Sequence, residues 1–366
     1  MGSERVRPLR CRAPLAVGAV LAALVSSCVA VTAGGPQITV MTQNLYLGTG
    51  LGDAFAATTW EQLAAAGNHI WANVLARDFP TRAGVLADQI VRARPDVVAL
   101  QEVTLWRDQT PSDVRTHPAP NAAHVALDYL AILLQALRAR GVPYTTAVTS
   151  PGADLELPRH AAGGLVDLRL TDRDAVIVRS DVARRVGNPR HGHYAAQLRG
   201  PFLPQPVSST RSWESLDFHL DRATTVRIFA THLEVADPGT GTIQEQQARE
   251  LLRRIAASPY PVLAIGDFNA PAGGAAPRTR TYRALTARLH DAWTAARPAD
   301  PGWTCCQAAS LADPVGRERM RIDLVLTTGN WPVARVERTG EQPFRAGPPP
   351  LWPSDHLGLT ARLTVP

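Results

Sequence analysis

Residues able to bind a cation or move a proton recur in one kind of place in this chain, directly after or just ahead of short apolar runs. They are Asn44 after "VMTQ", Glu102 in "ALQEV", His232 in "ATHLEV", Asp267 and Asn269 in "IGDFN", Asp323 in "RIDLVL", and Asp355 and His356 in "PSDHLG". One such residue alone most often caps a turn. A set drawn only from Asp, Glu, Asn and His calls for a different account. Hard divalent cations take carboxylate and carboxamide oxygens, so Glu102 and Asp267 with Asn44 fit Mg²⁺ or Mn²⁺ in a site left open to water and substrate oxygens. Two imidazoles beside carboxylates then supply an acid and a base.

The elements that must position these residues read as strands alternating with helices. Strand candidates are "QITVMTQNL", "DVVALQEV", "DAVIVRS", "TTVRIFATHLEV", "PVLAIGDFN", "RIDLVLTT" and "HLGLTARLTV", each rich in β-branched or aliphatic residues. Helical spacing of apolar residues marks Arg82–Arg94, Ala122–Arg140 and Ile243–Ala257. Pro-rich stretches at 111–120, 201–206 and 342–350 read as loops, and 181–225 carries no clear period. No long Gly/Ser linker interrupts the pattern, so residues 34–366 are expected to form a single α/β domain.

Composition narrows the classes. The chain has 366 residues, 45% hydrophobic and 19% charged, which is ordinary globular material and not a disordered chain. Its 38 basic against 32 acidic residues leave a net charge of +6, and every basic residue is Arg. A mildly basic surface suits an anionic substrate. The first 33 residues read as an export signal: basic "MGSERVRPLRCR", uncharged "APLAVGAVLAALVSS", then Cys28 and "VAVTAGG". Cleavage after Ala33 and a lipoprotein-type site at Cys28 compete, so the protein is expected outside the cell or lipid-anchored at the outer face of its membrane. The adjacent Cys305 and Cys306 read as two half-buried thiols, with a bond between them the lesser alternative.

The ordered set "TQNLYLG", "LQEV", "TDRDAVIV", "THLEV", "GDFNA", "RIDLVL" and "SDHLG" resembles the endonuclease/exonuclease/phosphatase superfamily, in a secreted bacterial branch. The resemblance runs from about Thr39 to Pro366. It implies a four-layer α/β sandwich, with two central, mostly antiparallel sheets packed face to face and helices outside, as in pancreatic-type DNase. It makes Glu102 the metal-binding Glu, with Asn44 helping to place it. Asp267 orients the nucleophilic water or assists the metal, and Asn269 holds a phosphoryl oxygen. His356 is a general base or phosphate ligand with Asp323 as its partner, and Asp355 is a second metal or positioning ligand. His232 contacts the phosphate and helps protonate the leaving group. The implied cofactor is Mg²⁺, or Mn²⁺ or Ca²⁺ in its place.

The resulting expectation is a secreted, metal-dependent phosphodiester hydrolase, acting on a phospholipid head group in the manner of the neutral sphingomyelinases. A nuclease or phosphomonoesterase of the same fold is the alternative, and a catalytically silent binding module ranks last. A monomer is expected, with peripheral or lipid-anchored membrane contact. Trp331, Phe344 and Trp352 stand where sphingomyelinase-type members carry a membrane-touching hairpin, and core packing accounts for them equally well. Arg173 reads as a member of an ion-pair cluster and is left out of the site. No "GxSxG" elbow or Cys/His pair offers a covalent route. A chain beginning at Gly34 should fold and remain soluble; aggregation of that truncation beside a soluble full chain would assign residues 1–33 to the fold.

Overall fold

Side chains alternate across a strand, and here the alternation sorts residues into separate cores. In Gln37–Asn44, Ile38 and Val40 turn to one side and Met41 to the other; in Val97–Gln101, Val97 and Ala99 join the first pair while Val98 and Leu100 join Met41. The same division runs through Val262–Asp267, where Leu263 and Ile265 meet Ile38 and Val40 from across the interface while Val262 and Ala264 face away. Strands buried on both faces must have layers on both faces. The computed structural model describes residues 35–203, 207–236, 241–273, 279–345 and 349–366. The expected export segment, residues 1–33, lies outside the described residues.

In chain order the elements begin with β1 (Gln37–Asn44), α1 (Gly52–Ala56), α2 (Trp60–Ala76), α3 (Phe79–Ala93), β2 (Val97–Gln101), β3 (Leu105–Gln109), β4 (His124–Asp128) and α4 (Tyr129–Ala139). A long hairpin of β5 (Tyr144–Ala161) and β6 (Gly164–Arg179) follows, then β7 (Val186–His193), β8 (Leu198–Gly200), β9 (Val207–Ser209), β10 (Ser212–His219) and β11 (Thr225–His232). The last third holds α5 (Gly241–Ala256), β12 (Val262–Asp267), α6 (Arg280–Thr286), β13 (His290–Asp291), α7 (Ala292–Ala296), β14 (Asp323–Thr327), β15 (Val333–Thr339) and β16 (Gly358–Thr364).

One sheet runs β15-β16-β1-β2-β6-β3-β4 with β5 on β6, and the other runs β13-β14-β12-β11-β10-β7. Their facing sides share a core of Ile38, Val40, Ala99 and Val176 against Leu216, Phe218, Ile228 and Ile265. The helices α2, α3 and α4 cover the outer face of the first sheet through Leu63, Ile70, Leu86, Ile90 and Leu133. On the second sheet, α5 and α6 do the same through Leu251, Ile255 and Leu285. This is the expected four-layer sandwich. The expected helix over 122–140 divides instead: residues 124–128 pair with β3, and the helix starts at Tyr129 because Asp128 caps it, accepting from the Leu130 and Ala131 amides.

Most neighbours are antiparallel, but β1–β2 and β11–β12 are parallel. That exception decides where the polar strand ends go. Parallel partners finish on the same edge, and antiparallel neighbours begin there.

Arg82 of α3 ties this edge to the helices. Its guanidinium is fully buried and donates to the carbonyls of Leu45 (2.7 Å), Tyr46 (3.0 Å), Pro353 (2.8 Å) and Arg77 (2.8 Å), joining the chain after Asn44 to the chain before Asp355. A buried carbonyl left without a donor costs about 1–3 kcal/mol. Arg82→Met should therefore destabilise the fold by roughly 3 kcal/mol or more and lower activity per folded molecule as well. Urea unfolding run beside a rate measurement checks this, and an unchanged rate per folded molecule would show that Arg82 supports the fold but not the rim.

Candidate active site

Pairing registers carry the candidate residues to one rim. In the first parallel pair Asn44 lies opposite Gln101, one residue before Glu102, and in the second His232 lies opposite Asp267. Asp323, at the start of antiparallel β14, faces Asp267, and His356 precedes β16, whose Leu359 lies opposite Thr42. The two sheets meet at this edge, so residues up to 312 positions apart converge. All of Asn44, Glu102, His232, Asp267, Asn269, Asp323, Asp355 and His356 lie there.

The backbone is strained where the side chains turn inward. Tyr46, Glu102 and Asn269 hold φ of 58°, 53° and 47°, in the left-handed region that costs a non-glycine residue of order 1 kcal/mol or more. Gly266 sits at φ 149°, and a Cβ there would meet the Thr231 carbonyl oxygen at 2.0 Å. That close approach requires the Gly of "IGDFN" and lets β12 run tight against β11.

Contacts centre on Asp267. Its Oδ2 accepts from Asn44 Nδ2 at 3.2 Å and lies 3.6 Å from His232 Nε2 and 3.8 Å from His356 Nε2, while Oδ1 accepts from the Asn269 amide at 2.8 Å. The two imidazoles therefore share one carboxylate oxygen and sit well within the reach of a single phosphate group. Behind each ring stands a second carboxylate. His356 Nδ1 is 2.9 Å from Asp323 Oδ2, and His232 Nδ1 is 3.5 Å from Asp174 Oδ1. Asn269 Nδ2 donates to the Leu233 carbonyl at 2.9 Å, which leaves its second amide hydrogen uncommitted among the described residues.

Glu102 is half-buried and held on both oxygens: Asn44 Nδ2 donates to Oε1 (3.1 Å) and the Leu47 amide to Oε2 (2.7 Å). Of the two parts expected of Asn44, metal ligand and positioning group for Glu102, the geometry fits the second. Its Oδ1 accepts from the Tyr46 amide at 2.9 Å, so the oxygen a cation would need is turned to the backbone and the amide aligns two carboxylates instead.

Four further residues belong to the rim. Asp174 backs His232, and Asp172, Arg211 and Glu234 surround them. Arg211 forms a two-point ion pair with Glu234 (3.2 and 3.3 Å) and places Nη1 3.1 and 3.0 Å from the two His232 nitrogens. Arg211 lies in the stretch without readable periodicity, and Asp174 is part of the "TDRDAVIV" stretch that reads as an ion-pair cluster. Arg173 does take that structural part. It pairs with Asp128 at 2.5 Å and donates to the Val103 carbonyl, bracing the turn after Glu102.

The electrostatics are those of crowded anions. Burial, then Asp174 and Glu102, push the Asp172 carboxyl up to about 7. Burial also pushes Asp355 up to about 7, with Glu102 and Asp267 adding to it against His356 and Arg82. Burial pulls the His356 imidazole down, but Asp323, Asp267 and Asp355 outweigh it and hold the ring well above the ordinary histidine value. For His232, burial and Arg211 pull down and Asp174 and Asp267 prevail, so its value is also raised. Among the described residues, the buried Oδ1 atoms of Asp172 and Asp323 have no hydrogen-bond partner. A divalent cation fits such a place, since it supplies the charge and the coordination these oxygens lack. Asp267, Asp323 and His356 each offer a donor atom within 4.8 Å of the others, a group that could hold a metal.

Four residues outside the rim settle smaller questions. Cys305 and Cys306 are joined as an adjacent disulfide, and the buried Cys305 bridges to Met320 and His356 through its backbone. Trp331 and Trp352 are 2% and 1% exposed, which makes them core residues rather than membrane-touching ones.

Comparison with known proteins places this geometry. Residues 70–356 match the family model described as Endonuclease/Exonuclease/phosphatase family. A solved family protein from Leptotrichia buccalis C-1013-b shares 16% identity over 90% of this chain and 100% of its own, with a TM-score of 0.55. The mannosyl-6-phosphatase Bt3783 of Bacteroides thetaiotaomicron VPI-5482 shares 15% over 90% and 100%, at 0.52. TDP2 of D. rerio, complexed with a single-strand DNA product, shares 15% over 90% and 99%, at 0.51. These likenesses are of fold. Among curated proteins no match was found. With more than half of its length matched and the four-layer sandwich in place, the chain belongs to the Endonuclease/Exonuclease/phosphatase family.

Proposed function

We propose that the protein is a divalent-metal-dependent phosphodiester hydrolase that uses water directly, without a covalent intermediate. The observation that carries this reading is the convergence of two carboxylate-backed imidazoles on one oxygen of Asp267, beside a Glu102 held on both its oxygens. Hydrolysis of a phosphate ester needs a group to take a proton from water, a group to protonate the leaving oxygen, and positive charge around the phosphoryl oxygens. The rim offers each.

Asp267 Oδ2 orients the water and takes its proton as the water oxygen bonds to phosphorus. His356, kept protonated by Asp323 and Asp267, donates to a non-bridging oxygen. His232, held by Asp174 and Arg211, gives its proton to the leaving oxygen as the P–O bond breaks, and the proton on Asp267 can return to it across 3.6 Å. Asn269 directs its free amide hydrogen to the phosphoryl group. Glu102 and Asp355 would hold the cation, with Asn44 aligning Glu102. When bound, the ion stabilises negative charge on the phosphoryl and leaving oxygens.

His232 as a leaving-group acid serves an alkoxide, which alkyl diesters and monoesters both release, so the choice of a diester rests with the substrate comparison below. We take a phospholipid head group as the first substrate to test, on the strength of the export signal read in residues 1–33 and of His232. The burial of Trp331 and Trp352 takes these two residues out of that argument. Nucleic acid and phosphomonoesters are the alternatives, and related folds include TDP2 with its DNA product and a mannosyl-6-phosphatase.

Hydrolysis of bis-p-nitrophenyl phosphate, sphingomyelin, plasmid DNA and phosphomonoesters, each with Mg²⁺, Mn²⁺, Ca²⁺ or EDTA, tests the reading. EDTA should abolish turnover. Glu102→Gln should weaken the metal requirement's midpoint by about 10–100-fold and lower turnover with it. An unchanged metal titration would remove Glu102 from the site. No hydrolysis of any phosphate ester would overturn the proposal.

His232→Ala and His356→Ala should each slow the reaction by roughly 10²–10⁴-fold with the melting temperature little changed. Because both act in one transition state, the double variant should fall short of the product of the single effects. Strictly multiplicative losses would mean that the two rings do not serve one phosphate.

A further inference from the structure

A second group of carboxylates lies away from the rim, where the loop between β3 and β4 folds back on the β5–β6 hairpin. Asp113 of the loop, Glu156 of β5 and Asp167 of β6 each offer an oxygen, and these oxygens lie within 4.8 Å of one another. Asp167 is seven residues from Asp174 along β6, about 23 Å at strand spacing, so this is a different place from the active site.

Most of the donors around the cluster come from its own backbone. Asp167 Oδ2 accepts from the amides of Asp113 (2.7 Å) and Val114 (3.2 Å), and Ser112 Oγ donates to Oδ1 at 2.5 Å. Glu156 Oε2 accepts from the amides of Asn121 (2.7 Å) and Ala122 (2.9 Å), and Asn121 Nδ2 donates to both oxygens of Asp113. Loop and hairpin are thus shaped around the three carboxylates.

One oxygen is left over. Glu156 is 3% exposed and shares the group with Asp113 and Asp167, and its Oε1 is buried without a hydrogen-bond partner among the described residues. An unpaired buried carboxylate oxygen among like charges is costly unless a cation answers it. Arg169, opposite Glu156 in the hairpin, and Arg107 act on its charge from nearby, while their hydrogen bonds go to other groups. Arg169 binds Asp154 through two nitrogens and donates to the Ala122 carbonyl, and His117 reaches Asp113 only from the solvent side at 3.4 Å. Burial raises the pKa of Glu156 and of Asp167, with each pushed further by the next carboxylate in the group.

We propose that Asp113, Glu156 and Asp167, with Ser112 Oγ, form a Ca²⁺ site that fastens the 110–122 loop to the β5–β6 hairpin. Every donor is a hard oxygen, which selects Ca²⁺, Mg²⁺ or Mn²⁺ over softer metals. Donors spread over a loop and two strands give the irregular, adaptable shell that Ca²⁺ accepts and that Mg²⁺, which demands a near-ideal octahedron, does not. The role is structural: the ion would close a surface loop without touching the phosphate ester.

Equilibrium dialysis of the full chain against about 1 mM Ca²⁺, the range of extracellular modules, tests this. To set the active site aside, binding is compared between Glu102→Gln and the Glu102→Gln, Glu156→Gln double variant. The first should retain one Ca²⁺ per chain more than the second. In the otherwise unaltered protein Ca²⁺ should raise the melting temperature by several degrees, and Glu156→Gln should remove that rise while diester turnover at saturating Mg²⁺ and 25 °C stays unchanged. If Glu156→Gln does not fold, Asp113→Asn on the loop replaces it, with an expected loss of about tenfold or more in Ca²⁺ affinity. Equal Ca²⁺ binding with and without these substitutions, or a melting temperature indifferent to Ca²⁺ throughout, would overturn the proposal.

Discussion

The constraint on which this molecule depends is the concentration of buried negative charge at one edge of two packed sheets. Like charges a few ångströms apart in a low-dielectric setting repel strongly, and burial alone already disfavours the charged carboxylate. The surrounding fold holds the groups where they would not otherwise stay. Arg82 fastens the loops on either side of Asn44 and Asp355 through four carbonyls, and Arg173 braces the turn after Glu102. Two histidines and Arg211 supply the remaining positive charge near the rim. A deficit of cations persists, and it is why the site is suited to a divalent ion and an anionic ester together.

The fold was readable wherever burial was two-sided. Strands such as Val97–Gln101 and Val262–Asp267 are apolar runs because both faces are covered, and such runs announce themselves in the chain. The partners of the site were readable only where a residue ends such a run. Asp174 stands in mid-strand and Arg211 just ahead of β10, in a stretch whose sequence carries no clear period, so neither has a local signal for its role. Their placement comes from β6 and β10 entering different sheets whose edges meet, a fact of topology and not of spacing. The helix α2 carries a weak sequence signal although Thr59 and Gln62 form a capping box, because its sequence is Ala-rich and its apolar face is weakly set off.

Asn44 shows how local backbone geometry chooses between two parts that sequence leaves open, ligand and positioning group. Sequence spacing places a carboxamide beside Glu102 and Asp267, and carboxamide oxygens do bind hard cations. Yet the chain turns sharply at Tyr46, with φ 58°, and brings that amide onto Asn44 Oδ1. The side chain can then present only its nitrogen to the carboxylates. One strained backbone residue two positions away thus changes a ligand into a positioning group, and no propensity scale carries that information.

The two parallel strand pairs explain why the strain and the chemistry coincide. In a wholly antiparallel sandwich, neighbouring strands would finish at opposite edges, and Asn44 with Glu102, or His232 with Asp267, could not meet at strand termini. Making β1–β2 and β11–β12 parallel puts four chain exits on one edge, each needing an abrupt turn directly after the last paired residue. Left-handed residues make three of those turns, Tyr46 after β1, Glu102 after β2 and Asn269 after β12, and Gly266 lets β12 lie close to β11. The exits crowd together, so the turns are tight, and tight turns aim side chains inward with little freedom to relax. Preorganisation at this site is therefore a by-product of sheet topology: the same crossover that brings the acids together also holds them still.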